Sequence, residues 1–586
     1  MSLCQALPAL SIQEVSEALL RDGVSVAGVP RFAALGAHGD QKQNVSRDFF
    51  RMVKKLGFHG EVEISHEVMY VHLPGEPHPQ EWQFPLIMPH DILNAFWRAN
   101  STKFQNHFFP EGDSSLNEFW RRSASAPWFA QHCFRDTALQ WPSMCIPYRL
   151  HGDEAPFSKT GSKSLFVLNF SAVLSKAPSM LSRFLIWAVV CGSVLNFDGA
   201  VRALEWSLRL LGEGIMPMKD WHGRDFPCGS TRHRERGKPI CGGYRFLLTQ
   251  LCGDLKWLKE TMDFPHFWGS PDAMCWMCHA VKDASNPLCG YNFASSAPWR
   301  SAPRTHESYM RCTGHGVSWC RLPGFHTSMV QLDLMHILFL GALQWELASA
   351  LYELLESRHW PLPPGVAPGR WQYSWAFMLS MAYTDFVAWC RLHKLVCSHP
   401  TFTLAQLGLT SLRARPFLKC KAGNCWKIGM WLCAVWSKRA QEIPSVHNQA
   451  VFGCLYGFIQ TAELCKSCDV WLTDDVVDQL KFCRDLALCS HAFLANEAHL
   501  TRRAHLWVTK PKHHLYDECI SVSVQSRLSP GNHWVFADED FIGRCVSITK
   551  FVWGGPKRAE RTLLRYLLRV HCLLQDWRAT TPDADF

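Results

Sequence analysis

The chain has 586 residues, of which 47% are hydrophobic and 19% are charged. This is the composition of a packed globular protein, and it excludes a chain that is disordered throughout. The formal net charge of +9 permits a polyanionic partner without requiring one. The 25 cysteines are scattered over a long chain. Because the N-terminus lacks a basic segment followed by an apolar core, we expect reduced thiols in an intracellular protein, with one or two metal sites among them.

The most apolar stretches are Phe184 to Phe197 and Trp371 to Tyr383. Both are shorter than the about 20 apolar residues that a membrane-spanning helix needs. We therefore predict core elements at these positions and no membrane partner.

Residues 1–140 are predicted to form an α+β region whose role the sequence leaves open. Ile12 to Leu20 has helical periodicity, and Val62 to Leu73 alternates as strands do. We find neither a convincing helix-turn-helix nor a complete zinc finger in the first 120 residues, although sequence-specific DNA recognition commonly uses such a module.

An orderly series of elements begins at Cys145. The predicted strands, all rich in Val, Ile, Leu and Phe, are Cys145 to His151, Leu165 to Leu174, Phe184 to Leu195 and Tyr244 to Cys252. A helix closed by Gly212 and Gly214 precedes the fourth strand, and Leu255 to Met262 is predicted to be helical. Asp153 and Asp254 end the first and fourth strands. This order is that of a ribonuclease-H-like α/β core with a mixed sheet, which we place at residues 141–336.

The rest of the chain is predicted to be mainly helical. A helix with a leucine stripe runs from about Leu334 to Glu356, and a proline-rich break begins at Pro361. We interpret residues 337–510 as an all-helical insertion into the core. Residues 511–586 then return to the core with a helix bearing a third acid and a basic C-terminal helix.

The acids at the two strand ends point to metal chemistry. Phosphoryl transfer on DNA without a covalent enzyme intermediate uses divalent metal ions about 3.5–4 Å apart. Mg²⁺ takes oxygen ligands, so the protein must bring several carboxylates together. Asp153 and Asp254 are candidates for two of them, and the third must come from a helix later in the chain.

Six blocks of the sequence, in this order, resemble those of DDE transposases of the CACTA type, which belong to the ribonuclease-H-like superfamily. The blocks are Leu150-His-Gly-Asp153-Glu-Ala-Pro-Phe157, Gly253-Asp254, Cys275-x-x-Cys278, Leu332-Asp333-Leu-Met-His336-Ile337, Pro511-Lys-His-His514 and Trp534-Val-Phe-Ala-Asp-Glu539-Asp-Phe-Ile-Gly543. Together they cover roughly residues 120 to 550.

The resemblance implies that Asp153, Asp254 and Glu539 are the three catalytic acids and that they hold Mg²⁺ or Mn²⁺. Asp263 is an alternative second acid, because Asp263-Phe-Pro also resembles a family block. We prefer Asp254 because it directly follows an apolar strand.

At the third position Glu539 is flanked by Asp538 and Asp540. The match of Trp534 and Gly543 on either side assigns the third acid to Glu539.

Asp333 and His336 match the family's Asp-x-x-His signature. They either orient the metal ligands without binding the metal themselves, or they are a helix cap and a buried histidine.

Cys275 and Cys278 have the spacing of zinc ligands, and Cys312 and His315 follow at a distance that can complete a tetrahedral site. The alternative is a chance pair in a cysteine-rich segment, residues 275–320.

Two basic runs are candidates for contacts with DNA phosphates. Their residues are Arg232, Arg234, Arg236, Lys238, Lys557, Arg558, Arg561 and Arg565. The alternative for each run is a solvated protein face.

The resemblance thus implies a nuclear DNA transposase that cleaves transposon ends and joins them to target DNA. Its partners would be both DNAs, with a homo-oligomer left open. Two other functions remain: a transposase-derived protein that binds DNA or another protein without cutting, and a ribonuclease-H-like nuclease that hydrolyses without joining strands.

Overall fold

The structure is a computed structural model that describes the chain in twelve stretches. These are residues 8–23, 29–37, 44–55, 61–71, 78–158, 163–192, 194, 196–265, 272–362, 370–550, 552 and 558–579. The chain divides into two compact units. The first unit comprises Met1–Met262, Tyr309–Gln331 and Phe536–Phe586, and the second unit comprises Asp263–Ser308 and Leu332–Val535.

Helices make up most of the described chain. Up to residue 312 they are α1 (Ala9–Arg21), α2 (Val29–Ala33), α3 (Val45–Lys55), α4 (Pro89–Ala99), α5 (Ser101–Phe108), α6 (Asp113–Ser123), α7 (Pro127–Ala130), α8 (Arg135–Gln140), α9 (Ser179–Ser182), α10 (Asp198–Glu213), α11 (Thr231–Glu235), α12 (Leu255–Met262) and α13 (His306–Cys312). After a π-helical segment, Met335–Ala342, they are α14 (Leu343–Glu356), α15 (Trp371–Leu392), α16 (Ala422–Glu442), α17 (Val446–Ser467), α18 (Asp474–Leu500), α19 (Pro511–Ser526), α20 (Pro530–His533), α21 (Phe536–Lys550) and α22 (Arg558–Ala579). Short 3₁₀ turns lie at Pro142–Met144, Ile240–Gly243, Pro298–Ser301, Gly314–Gly316, Ser318–Arg321 and Thr327–Met329.

The first unit contains two sheets. The smaller is an antiparallel pair of β1 (Ile64–Val71) and β2 (Gln80–Ile87). The larger has the strands β3 (Cys145–Pro156), β4 (Ser164–Ala172), β5 (Phe184–Val190) and β6 (Arg245–Gly253) in the order β5-β4-β3-β6.

The larger sheet is mixed. β4 is antiparallel to both β3 and β5, and β6 is parallel to β3. The apolar character of these strands matches their burial, since all of β4 from Leu165 onward is buried. The predicted α/β class and the order of strands and helices in this region are confirmed. β3 runs five residues beyond the predicted His151, because its pairing with β4 continues to Pro156, so Asp153 lies within the strand.

The two ends of the chain share one core in the first unit. Phe49 and Phe50 of α3 lie in a buried cluster with Ile12 of α1 and with Leu564 and Leu568 of α22. The predicted N-terminal region, the sheet and the C-terminal helix thus belong to one compact unit, whereas four successive segments were predicted.

The second unit is helical apart from its cysteine-containing loops, as far as the described residues show. It begins at Asp263 and ends at Val535, so it is larger than the predicted insertion at residues 337–510. The predicted helix from Leu334 to Glu356 is interrupted at Gly341 (φ −151°, ψ −111°). The Lys512 ammonium lies 2.8 Å from the carbonyl oxygen of His336 and 2.7 Å from that of Leu340, so it satisfies acceptors at the break.

Within the described residues, one helical stretch, Met335–Glu356, has the length and hydropathy of a membrane span. Most of its apolar window, 89%, is buried inside the protein. This is the environment of a core helix.

Candidate functional site

Two of the predicted acids lie on neighbouring strands of the first unit. In the parallel pairing of β3 with β6, Gly152 is opposite Gly253, and Asp153 and Asp254 are the residues that follow. Adjacent strands are about 4.8 Å apart. The register therefore brings these two carboxylates to the same edge of the sheet.

The glycines before the two acids have a steric role. A Cβ on Gly152 would lie 2.2 Å from the Trp257 indole, and one on Gly253 would lie 2.4 Å from the same ring. Glycine is therefore needed at both positions to leave room for the indole of Trp257, the first buried side chain of α12. This packing was not predicted from the sequence, although the Gly-Asp repeated at both strands indicates a close approach to the backbone.

The third acid, Glu539, comes from the first turn of α21. The protonated form of Asp153 hydrogen-bonds to the Glu539 carboxylate, and an oxygen of each lies within 4.8 Å of the other. Burial, this hydrogen bond and the negative charges of Asp254 and Glu539 raise the pKa of Asp153 well above its usual value. We call Asp153, Asp254 and Glu539 the carboxylate cluster.

Asp254 also caps a helix. Its Oδ1 accepts a hydrogen bond from the backbone N–H of Trp257 at 2.6 Å, at the start of α12. Its charge still acts on Asp153, and its side chain is only partly buried. Capping uses one oxygen of Asp254, so the other can ligate a cation.

The alternative second acid, Asp263, belongs to the second unit and follows the end of α12. It has a left-handed backbone (φ 51°). Of the two candidates, Asp254 is the one whose position next to Asp153 follows from strand pairing within a single unit.

The residues flanking Glu539 have other partners. Asp538 is fully buried, with Oδ1 3.2 Å from Nε of Arg183 and Oδ2 3.3 Å from a terminal nitrogen of Arg149. Burial alone would raise the pKa of Asp538, but the charges of Arg183 and Arg149 outweigh it and hold that pKa well below its usual value. Asp540 is exposed and accepts a hydrogen bond from the Ser179 hydroxyl.

Asp538 therefore anchors α21 to the sheet. Arg149 lies on β3, the strand that carries Asp153, and Arg183 directly precedes β5. This ion pairing leaves Glu539 as the acid of the Asp-Glu-Asp run that faces Asp153. The two arginines that hold Asp538 were not predicted, because no local sequence pattern distinguishes them from other arginines.

Asp333 and His336 are both in the second unit and pair with each other. The Nδ1 of His336 lies 2.6 Å from Oδ2 of Asp333, and the backbone N–H of Met335, His336 and Val535 also donate to this carboxylate. Burial would raise the pKa of Asp333, but the hydrogen bond and charge of His336 hold it below its usual value. Asp333 is thus both a cap of the π-helical segment and the group that orients the His336 ring.

Cys275 and Cys278 meet two residues of α19. Their Sγ atoms are 3.4 Å apart and lie 3.5 Å and 3.3 Å from Nε2 of His514, respectively. Glu518, one helical turn after His514, completes a group whose ligand atoms all lie within 4.8 Å of one another. All four residues are buried. We call them the thiol cluster.

The predicted completion of this site by Cys312 and His315 is corrected by the structure. Cys312 and His315 belong to the first unit, and both are exposed. His514 and Glu518 take their place because residues four apart on a helix share one face. His514 was quoted in a family block, but nothing in its local sequence paired it with Cys275.

Electrostatics within the thiol cluster favour a metal. Burial alone would raise the pKa of the Cys275 thiol, but hydrogen bonds from Cys278 and His514 hold it well below its usual value. Burial and the charge of Cys275 raise the pKa of Glu518 to about 7. A buried thiolate beside a buried carboxylate is stabilised by a cation, and four such groups can hold a metal ion.

The predicted DNA contacts divide into buried and accessible residues. Arg232 is buried, with Nε 2.9 Å from the Asp91 carboxylate, and Arg565 is fully buried, with its guanidinium 5.0 Å from the centroid of the Phe49 ring. The prediction that these two arginines contact DNA is therefore wrong, because both side chains are buried against partners within the protein.

The other basic residues differ in exposure. Arg234, Arg236 and Lys238 are exposed, and Arg558 and Arg561 are partly buried. Lys557 lies outside the described residues.

No protein-family model matches this sequence, and no curated protein matches it at a significant level. The geometry of the two clusters therefore carries the functional inference. Asp153 and Glu539 of the carboxylate cluster, and all four members of the thiol cluster, are placed closely enough to one another to share a metal ion.

Proposed function

We infer that this protein is a DNA transposase of the DDE type, built on a ribonuclease-H-like core, that cuts and joins DNA strands with divalent metal ions. The observation that carries this proposal is the carboxylate cluster. Asp153 and Asp254 follow paired positions of two parallel strands, and Glu539 reaches Asp153 from the first turn of α21. The sheet order is β5-β4-β3-β6, and β4 runs opposite to the other three strands. This topology is compatible with the proposed core.

The residues of the cluster fit magnesium. All three offer carboxylate oxygens, which Mg²⁺ and Mn²⁺ prefer over nitrogen or sulfur. Burial first, and then the nearby acids, raise the pKa of Asp153, and a divalent cation offsets both the desolvation and the repulsion of the charged form. When bound, such ions would activate the attacking hydroxyl and stabilise the leaving oxygen of a phosphodiester.

The chain's own part in this reaction is positioning. Asp538 holds the start of α21 through Arg149 and Arg183, so Glu539 is presented to Asp153 by a rigid element. Asp254 is held by the α12 N–H group that it caps. Fixed carboxylates need no reorganisation when charge develops in the transition state.

The thiol cluster is proposed to hold zinc. Two thiolates, an imidazole and a carboxylate form a tetrahedral donor set of the closed kind that structural zinc sites use. Such a site would connect the loop bearing Cys275 and Cys278 to α19 within the second unit.

The test uses end-labelled DNA carrying the sequences that flank the coding sequence, with Mg²⁺ or Mn²⁺. We expect strand cleavage, and joining of the cut end to a second DNA, in the unmodified protein. Asp153→Asn, Asp254→Asn and Glu539→Gln should each abolish both. Asp540→Asn, a change of the same kind at an exposed neighbour, should retain them.

Three other results would contradict parts of the proposal. Cleavage without joining would assign a nuclease. DNA binding without cleavage in any metal would assign a non-catalytic derivative. Loss of cleavage in Asp263→Asn but not in Asp254→Asn would move the second acid to Asp263.

A further inference from the structure

A third group of metal-binding side chains lies in the second unit. Glu346 is on α14, His491 is on α18 and His513 is in the first turn of α19. Nε2 of His513 is 2.8 Å and Nδ1 of His491 is 2.9 Å from the same oxygen of Glu346, Oε1. All three side chains are fully buried. We call them the imidazole cluster.

The outward nitrogens of both rings have acceptors. Nε2 of His491 is 2.9 Å from the Thr509 hydroxyl. Nδ1 of His513 accepts a hydrogen bond from the Lys510 backbone N–H at 3.0 Å and lies 3.1 Å from the Lys510 carbonyl oxygen. His491 can donate its outer N–H to Thr509, and a shift of the His513 proton from Nε2 to Nδ1, toward the Lys510 carbonyl oxygen, lets both inner nitrogens present lone pairs to one point. Metal-bound histidines are oriented in this way.

Hydrogen bonding alone accounts incompletely for the arrangement. Among the described residues, Nδ1 of His491 has no partner with hydrogen-bond geometry, although it lies close to Glu346. The two rings stack with centroids 4.2 Å apart, which disfavours a positive charge on both.

A buried carboxylate between two such rings requires a cation. Either one imidazole keeps a proton, or a metal ion occupies the point where the three donors meet. The thiol of Cys454 lies 3.3 Å from the second oxygen of Glu346, so it can hold that oxygen aside and leave Oε1 directed at the rings.

We propose that Glu346, His491 and His513 bind a divalent transition-metal ion, at a site separate from the thiol cluster and from the carboxylate cluster. Two imidazoles and one carboxylate suit Zn²⁺, Fe²⁺ or Co²⁺ and do not suit Mg²⁺ or Ca²⁺, which prefer oxygen ligands only. The ion would link α14, α18 and α19. His513 and its neighbour His514 would then face two different metals from one turn of α19.

The experiment loads metal-free full-length protein with Co²⁺ in excess Mg²⁺, which occupies the oxygen ligands of the carboxylate cluster. Cobalt on thiolates gives strong sulfur-to-metal charge-transfer absorption, whereas cobalt on imidazole and carboxylate gives only weak visible bands. The unmodified protein should retain two cobalt ions after dialysis. The double variant Cys275→Ser, Cys278→Ser should retain one, without the charge-transfer band.

Glu346→Gln, which keeps the shape of the side chain, should retain the charge-transfer band and lose one ion. A single cobalt ion in the unmodified protein, lost entirely in the double cysteine variant, would overturn the proposal.

A measurement on the unmodified chain guards against variants that fail to fold. In X-ray absorption of zinc-loaded protein, two filled sites should show half as many sulfur ligands per zinc as the thiol cluster alone. A ratio equal to that of the thiol cluster alone would also overturn the proposal, whatever the fate of the proposed transposase activity.

Discussion

The carboxylate cluster and the thiol cluster are both groups of side chains that can bind a metal ion, but they differ in their exposure to solvent. Asp254 and Glu539 are partly exposed, whereas all four members of the thiol cluster are buried. Catalytic metal sites keep an open position for substrate, and structural sites are closed. The difference fits the proposal that the first cluster acts on a ligand from solution and that the second holds a structural metal ion.

The two clusters also differ in how they are supported. The carboxylate cluster gathers like charges and depends on a neighbouring ion-pair network around Asp538 to hold Glu539 in place. In the thiol cluster, an imidazole already stabilises a thiolate. A change in the first should therefore affect activity more than folding, and a change in the second should do the reverse.

The largest effect is expected for Glu539→Gln, which removes a charge at nearly constant shape. Metal-dependent DNA cleavage should fall by about 10³-fold or more, equivalent to about 4 kcal/mol of transition-state stabilisation. Thermal stability without metal should not fall, because the repulsion that raises the pKa of Asp153 is reduced. Cleavage rates and melting curves check this, with Asp540→Asn as the matched control. An unfolded Glu539→Gln protein would give the carboxylate cluster a structural role.

Cys275→Ser should have the opposite profile. Loss of a structural zinc ligand should lower the free energy of unfolding by about 4 kcal/mol or more and remove zinc. Denaturant unfolding and metal analysis measure both effects. Cys312→Ser is the control, because this exposed residue lies in the first unit, and it should change stability by less than about 0.5 kcal/mol. Zinc loss in Cys312→Ser as well as in Cys275→Ser would restore the ligand set predicted from the sequence, and unchanged zinc in Cys275→Ser would contradict a zinc site at the thiol cluster.

Asp538→Asn should affect both folding and activity. It leaves Arg149 and Arg183 buried without their anion, at a cost of about 3 kcal/mol. Because the folded pKa lies below the unfolded value of about 3.9, the ion pairs contribute fully above that pH and are lost as the pH falls toward the lowered pKa. The stability difference between variant and unmodified protein should therefore shrink below about pH 4. Equal urea midpoints at pH 7 would show that Asp538 does not anchor α21.

The smallest effects concern the basic residues. Arg236→Gln should leave stability within about 0.5 kcal/mol and, if Arg236 contacts phosphate, reduce the salt dependence of DNA binding by about one counterion. Arg565→Gln should instead destabilise the protein by about 2 kcal/mol, because it removes a fully buried side chain that packs on Phe49. Urea unfolding and binding titrations at several salt concentrations separate the two. Unchanged stability in Arg565→Gln would reopen its assignment to DNA.

Local patterns were sufficient for much of the first unit. The apolar runs of β3 to β6, the left-handed Gly214 after α10 and the Gly253-Asp254 end of β6 were all predicted from the sequence, whereas β3 continues past Asp153. The sequence patterns of strands and helices depend on residues close together in the chain, so they can be recognised without knowledge of the fold. The choice of Glu539 over its neighbours came from a family block, and the ion pairs of Asp538 supply a physical reason for it.

The tertiary structure alone decided which distant residues meet. His514 lies 239 positions from Cys275, and the Arg149–Asp538 pair spans 389 positions, so no spacing rule connects them. Burial likewise separated Arg232 and Arg565 from their exposed neighbours, although all were equally basic in sequence. Residue type and local periodicity are properties of the chain, whereas the partner of a charge or a metal ligand is chosen by packing between elements that fold together from far apart.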